Sequence, residues 1–205
     1  MPPQSTKTPR WRRVLQAAAL VVVVGLFTLF VWKLITDDEG RKLTAPVRAG
    51  SEPAAPPFAL PVIWAETSTW PPSLRPAAAH GKVALGELSG YPVVINFWAS
   101  RCIPCKGEAP ILAASARVHR GRVVFLGIDV QDLRSDARRF LRRHKANYLS
   151  VRDGDGGIYS DYGLTGVPET YYLDRRHRIV AHTIGQLSRS ELEAGISTAL
   201  GEVQR

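Results

Sequence analysis

From Val14 to Trp32 the chain runs through nineteen positions (VLQAAALVVVVGLFTLFVW) without a charged side chain. At about 1.5 Å rise per residue this is close to 28 Å of helix, near the roughly 30 Å hydrocarbon thickness of a bilayer, and it predicts one membrane-spanning helix. Downstream the periods are those of a globular domain. Val93 to Trp98 (VVINFW) and Val123 to Val130 (VVFLGIDV) are nearly unbroken apolar runs, as in central strands covered on both faces. Between them, Lys106 to Arg120 sets Ile111, Leu112, Ser115 and Val118 at helical spacing, with a kink predicted at Pro110. Ser135 to Lys145 opens on Ser-Asp and ends basic, which suits a second helix. Tyr148 to Val151 reads as a short strand, followed by a Gly-rich turn. Thr170 to Leu173 and Arg178 to Thr183, joined by Asp174-Arg-Arg-His, read as an antiparallel hairpin. Ser188-x-x-Glu191 is a capping box ahead of Leu192, Ile196 and Leu200, which predicts a closing helix. The order βαβαββα predicts an α/β fold with a mixed central sheet flanked by helices.

Charge orients the N-terminal helix. Lys7, Arg10, Arg12 and Arg13 precede the apolar run, and Trp11 and Trp32 stand at its two ends, where amphipathic rings favour the headgroup level. Residues 1–13 therefore read as a cytoplasmic basic tail, 14–35 as a single-pass signal anchor, and everything after it as extracytoplasmic. A cleaved signal peptide would have a shorter apolar core and a small-x-small site, whereas Lys33-Leu-Ile-Thr-Asp-Asp-Glu follows here. No Cys follows the anchor as a lipid attachment point. Residues 36–57 carry four prolines and few bulky apolar side chains, so they read as a tether. Residues 58–205 are enough for one domain, in a compartment where disulfides persist. Within it, 63–81 reads as a surface loop or an edge hairpin.

The composition, 45% hydrophobic with two cysteines in 205 residues, excludes both a disordered chain and a disulfide-framework mini-protein. The net charge of +9 would suit nucleic acid, but much of it sits in the basic tail and the domain lacks interleaved aromatics, so no nucleic-acid partner is expected. Arg138, Arg139, Arg142 and Arg143 read as a solvated helix face, or alternatively as a contact for anionic headgroups. Asp153-Gly-Asp155-Gly-Gly opens like a calcium loop, but the twelfth position is Leu164, so it reads as a turn. His80, His119, His144, His177 and His182 show no ligand spacing.

Chemistry concentrates in Cys102-Ile103-Pro104-Cys105, set directly after an apolar strand and opening a helix. Two Cys three apart in a first helical turn can close a small-ring disulfide. The free N–H groups there stabilise a thiolate at Cys102, and Arg101 adds a fixed positive charge. A free thiol of pKa about 8.5 is only a few per cent thiolate at pH 7, whereas Cys-x-x-Cys thiols commonly fall to about 3.5 to 7.5. Half of a zinc site is the competing reading, but a structural zinc wants four ligands and no second Cys pair exists. One turn further in, Cys105 fits the resolving thiol. Glu108, at i+3 from Cys105, shares its helix face.

Phe97-Trp-Ala-Ser-Arg-Cys-Ile-Pro-Cys-Lys-Gly-Glu-Ala-Pro110, with Gly166-Val-Pro-Glu-Thr-Tyr171, resembles the membrane-anchored thioredoxin-like proteins of the TlpA, ResA and CcmG (DsbE) group. The resemblance runs from about Phe58 to Leu200. It implies a thioredoxin fold, thiol–disulfide exchange on exported proteins with Cys pairs, and a membrane electron-donor protein. In relatives that mature cytochrome c, it implies keeping the haem-attachment Cys pair of apocytochrome c reduced. It makes Cys102 the attacking and Cys105 the resolving thiol, with the Cys102/Cys105 disulfide as the redox group and neither metal nor other cofactor. Pro168 matches a cis-proline that, with the backbone of Val167, holds the substrate strand; read without the resemblance, Pro168 is a strand-entry proline. Glu108 matches an active-site glutamate that tunes thiol protonation, against the plainer reading of a solvated first-turn carboxylate. Trp98 reads as a packing residue near the site. The group usually has Trp before the first Cys, where Arg101 stands here, and this alters the surface offered to a substrate.

Three alternatives follow from the same residues. A disulfide-forming oxidase or isomerase would use the same thiols in the other direction. A copper-holding module would want a wider thiol spacing and thioether ligands, yet Met1 is the only Met. A peroxidase relative would be expected to carry Thr three residues before the attacking Cys, where Ala99 stands.

Overall fold

The computed structural model describes residues 10–36 and 51–202, in two units considered separately. The first is helix α1, Arg10–Thr36, in which Leu15–Trp32 is long and apolar enough to cross a membrane. The tail before Arg10 and the tether from residue 37 to 50 lie outside the described residues.

The second unit is built on a seven-stranded sheet in the order β2-β1-β5-β4-β3-β6-β7. Its strands are β1 (Ala59–Trp64), β2 (Lys82–Ala84), β3 (Val93–Trp98), β4 (Val124–Asp129), β5 (Leu149–Arg152), β6 (Glu169–Leu173) and β7 (Ile179–Ile184). The helices are α2 (Ile103–Val118), α3 (Arg134–Arg143), a short α4 (Gly157–Asp161) and α5 (Arg189–Leu200). β3 runs parallel to β4, and β4 to β5; the remaining pairs are antiparallel. The sheet is mixed and flanked by helices, as the element order predicts.

The unbroken apolar runs of β3 and β4 are explained by burial on both sides. Val93, Ile95 and Phe97 pack with Trp70, Leu88, Tyr162 and Tyr171 on one face. Val94 and Phe125 point the other way, onto Leu112 of α2, Phe140 and Leu141 of α3, and Ile196 of α5. Ser188 caps α5: the Glu191 N–H donates to Ser188 Oγ at 3.2 Å and the Ser188 N–H donates to Glu191 Oε2 at 2.8 Å. Helix α2 continues through Pro110.

Three differences from expectation have physical causes. The chain meets the domain before Phe58: Ala54 bridges Arg178, the Ile179 N–H donates to the Pro53 carbonyl at 2.8 Å, and Tyr162 Oη donates to the Pro56 carbonyl at 3.2 Å. The Ala55 N–H also donates to the His177 carbonyl at 2.9 Å, so this Pro-rich segment docks through its backbone, and no apolar period announces that. Residues 63–81 are neither a surface loop nor a simple hairpin. β1 and β2 do form the antiparallel sheet edge, but the segment joining them buries Trp70 completely, with Nε1 donating to the Phe125 carbonyl at 3.0 Å. The chain after Trp70 winds into a 3₁₀ helix, Pro72–His80, which Trp70 and the buried Leu74 anchor. Finally, the turn after β5 winds into α4, with the Tyr159 N–H donating to Asp153 Oδ2 at 2.7 Å.

Candidate active site

β3 delivers the chain to a tight loop, Ala99–Cys102, in which the Cys102 N–H donates to the Ala99 carbonyl at 3.2 Å. The buried carboxylate of Asp132 pins this loop by accepting from the Ser100 N–H and, at 2.7 Å, from Ser100 Oγ. Cys102 is the N-cap of α2, and its sulfur accepts from the Cys105 N–H at 3.1 Å. An orphan amide of the first turn is thus aimed at the sulfur, which favours thiolate over thiol there.

Cys102 and Cys105 are joined as a disulfide, with Cα atoms 5.3 Å apart. They differ in access: Cys102 is half-buried, whereas Cys105 is 1% exposed. The Val167 carbonyl oxygen lies 3.5 Å from Cys102 Sγ, and the Val167–Pro168 peptide bond is cis. In the dithiol state the Cys102 S–H can donate to that carbonyl. Arg101 is exposed beside the sulfur. Trp98 is buried and stacks on Phe140, ring centroids 4.6 Å apart.

Glu108 is not a solvated first-turn carboxylate. It is 1% exposed on α2, one helical turn on from Cys105, where Asn96 Nδ2 donates to its Oε1 at 2.7 Å and the Leu187 N–H donates to its Oε2 at 3.1 Å. Burial pushes its pKa up to about 7 despite those two bonds.

Sequence reasoning missed the groups that hold this arrangement. Asn96 is the one polar side chain in the VVINFW run, and a polar residue in a doubly covered strand must find a partner. Glu169, inside the second motif, is buried and accepts from the Thr165 N–H at 2.8 Å, Thr165 Oγ1 at 3.0 Å and the Gly166 N–H at 3.2 Å. Its other oxygen pairs with His182 Nε2 at 2.8 Å, and the His182 ring stacks on Tyr171. Burial alone would raise the Glu169 pKa, but these partners hold it below the ordinary value. Glu169 thereby ties down the loop that presents Val167 to the sulfur. Among the described residues, no group of three or more His, Cys, Asp or Glu side chains is placed to hold a metal ion.

A Cys pair at a helix N-terminus, one sulfur accessible beside a cis-proline and the other enclosed one helical turn from a buried acid, can trade two electrons with a second Cys pair, a thiolate of the reduced pair attacking the disulfide of the other. The fold and this site define a thioredoxin-fold thiol–disulfide oxidoreductase. The chain belongs to the AhpC/TSA family, whose model matches residues 53–182. It is 31% identical over 176 residues to a thiol:disulfide interchange protein DsbE homologue of Paracoccus denitrificans, covering 84% of this chain and 85% of that one. It is 27% identical over 203 residues to the thiol:disulfide interchange protein DsbE of Xylella fastidiosa, covering 98% and 91%. A solved structure from Chlorobium tepidum, attributed to a thiol:disulfide interchange protein DsbE, superposes with a TM-score of 0.62 at 25% identity over 73% of this chain and 97% of that one.

Proposed function

We propose that this oxidoreductase works as a membrane-tethered reductant of disulfides in exported proteins, with apocytochrome c as the leading substrate. In the forward step the Cys102 thiolate attacks one sulfur of the substrate disulfide, a mixed disulfide forms, and the other substrate sulfur leaves as thiolate. Cys105 then loses its proton and attacks Cys102 Sγ. The Cys102–Cys105 bond forms, the second substrate thiol is released, and two electrons have passed to the substrate. A membrane electron-donor protein restores the dithiol.

The observation that carries this reading is the contrast between the two sulfurs. Cys102 is accessible, capped by an amide and faced by the Val167 carbonyl, while Cys105 is enclosed. Val167 and Pro168 would take the substrate strand, and Arg101 would contact it. Glu108, one helical turn from Cys105 and raised by burial to about 7, would exchange the proton that Cys105 gives up. The basic residues before the apolar run, Lys7, Arg10, Arg12 and Arg13, support a cytoplasmic N-terminus and an extracytoplasmic domain. The reduction in apocytochrome c follows from the group the motifs resemble and from DsbE relatives.

The test is the reduction potential of the Cys102/Cys105 couple in the full chain in detergent, equilibrated against glutathione or dithiothreitol buffers. A value near or below about −270 mV supports a reductase. A value toward about −120 mV, that of a strong periplasmic oxidant, would replace it with a disulfide-forming role.

A further inference from the structure

A groove of about 620 Å³ opens against the loop that carries Cys102. Ser100 and Arg101, which immediately precede Cys102, form one wall with Lys106 of α2; Arg139 and Arg143 of α3 form the other. Its floor is Phe140, stacked on Trp98. Arg139 and Arg143 are four residues apart and share one helix face, whereas Arg138 turns away to donate from Nε to the Ile63 carbonyl at 3.0 Å.

The charge here is one-sided. The groove's single carboxylate, Asp136, is already paired with Arg139 at 3.3 Å. Among the described residues, Arg101, Lys106 and Arg143 have no carboxylate partner. His144 also lines the groove, and an imidazole carries no negative charge in either protonation state, so it offers the cations no counter-charge. Four fixed cations around an aromatic floor form a site for an anion.

We propose that this groove binds acidic side chains flanking the cysteine pair of the polypeptide substrate, and so selects substrates with Asp or Glu within a few residues of the disulfide. The inference rests on the reductase reading. The occupant is argued from position. The groove shares Ser100 and Arg101 with the loop that carries Cys102, so whatever fills it lies against that loop. A substrate disulfide in bonding reach of Cys102 brings its flanking residues, at about 3.3 Å each when extended, over the groove. An anionic lipid headgroup in the same place would instead compete with the substrate.

The test uses the full chain in nonionic detergent, reduced, freed of reductant and followed through a single turnover. Two peptides carry the same Cys-x-x-Cys disulfide, one flanked by Glu and the other by Gln. At low ionic strength the Glu peptide should react about tenfold faster or more, and the advantage should collapse near 0.5 M salt. In Arg139→Gln/Arg143→Gln the advantage should shrink to within about twofold while the Gln-peptide rate holds. Equal rates on the two peptides, or a preference that survives the double substitution, overturns this inference and leaves the reductase reading standing. So does reaction with the Gln peptide that slows in phosphatidylglycerol nanodiscs but not phosphatidylcholine ones, restored by the double substitution, which assigns the groove to lipid. Failure to reduce either peptide and uncharged hydroxyethyl disulfide overturns the reductase reading, and this inference with it.

Discussion

The Asn96 side-chain amide, projecting from the central strand β3, donates to Glu108 Oε1 at 2.7 Å on α2. Asn96 also donates to Thr170 Oγ1 at 3.0 Å, so one amide ties β3 to the strand beside it and to the buried acid on α2. A neutral amide and one backbone N–H are too little to offset the desolvation of Glu108, whose pKa rises to about 7. A cation in place of Asn96 would hold the acid ionised; the amide leaves it able to exchange a proton near neutral pH.

Folding should therefore grow less favourable as pH rises from about 5 to about 8. The native state binds a proton more tightly than the unfolded chain, whose glutamate titrates near 4.5, so stability falls across that window. The displacement corresponds to at most about 3 kcal/mol. Denaturant titrations of the oxidised protein at pH 5 and pH 8 should show the loss, and Glu108→Gln should remove its own part of it, leaving the part from Asp129, whose carboxyl burial pushes up to about 8. An equal decline in both proteins would sink the assignment.

Separation of the two sulfurs predicts opposite phenotypes for the single variants. Cys102→Ser should abolish exchange with a peptide disulfide. Cys105→Ser should still attack and then stall, accumulating a mixed disulfide visible on a non-reducing gel. With Cys105 1% exposed, mixed disulfides forming on Cys105 in Cys102→Ser at a comparable rate would reverse the roles.

How far the sequence carried can be seen in particular residues. The runs of β3 and β4 and the capping box at Ser188 were readable because each is a local pattern with a single structural solution. Cys102 and Cys105 were readable because their spacing alone places them in one helical turn. Trp70, Asn96 and Glu169 were not assigned, because their partners, the Phe125 carbonyl, Glu108 and His182, lie 55, 12 and 13 positions away. Such pairings exist only once the sheet has formed. The docking of Pro53 and Pro56 has the same character.

Glu169 is a positioning residue, and its removal should be felt at Cys102. Glu169→Ala orphans the Thr165 and Gly166 N–H groups and the His182 ring, costing about 2 to 4 kcal/mol. Glu169→Gln keeps one acceptor oxygen and should cost about 1 kcal/mol. The pKa held below the ordinary value adds stability that is present above about pH 4.5 and lost as pH falls through the folded value, so acid sensitivity should weaken in the Gln variant. Loosening the Val167 loop should raise KM for a peptide disulfide while leaving the rate with hydroxyethyl disulfide unchanged. A uniform fall in both would mean that Glu169 acts only through stability.

Two helical glycines should respond oppositely to the same methyl group. On propensity alone, Gly→Ala inside a helix stabilises by roughly 1 kcal/mol. At Gly195 of α5 the added Cβ would run into the Tyr172 ring, which is 1% exposed on β6 and enclosed by the core under α5. Overpacking of that kind costs about 1 to 3 kcal/mol, which exceeds the propensity gain, so Gly195→Ala should be destabilising. At Gly107 of α2 the Cβ would meet Gln186 Nε2 at 2.6 Å, but this is the far end of an exposed, flexible side chain that can swing aside. Gly107→Ala should therefore be neutral or stabilising by up to about 1 kcal/mol. Urea midpoints at constant m value report the difference directly. If Gly195→Ala proved as stable as wild type, α5 would have to sit less tightly on β6 than the Tyr172 contact requires.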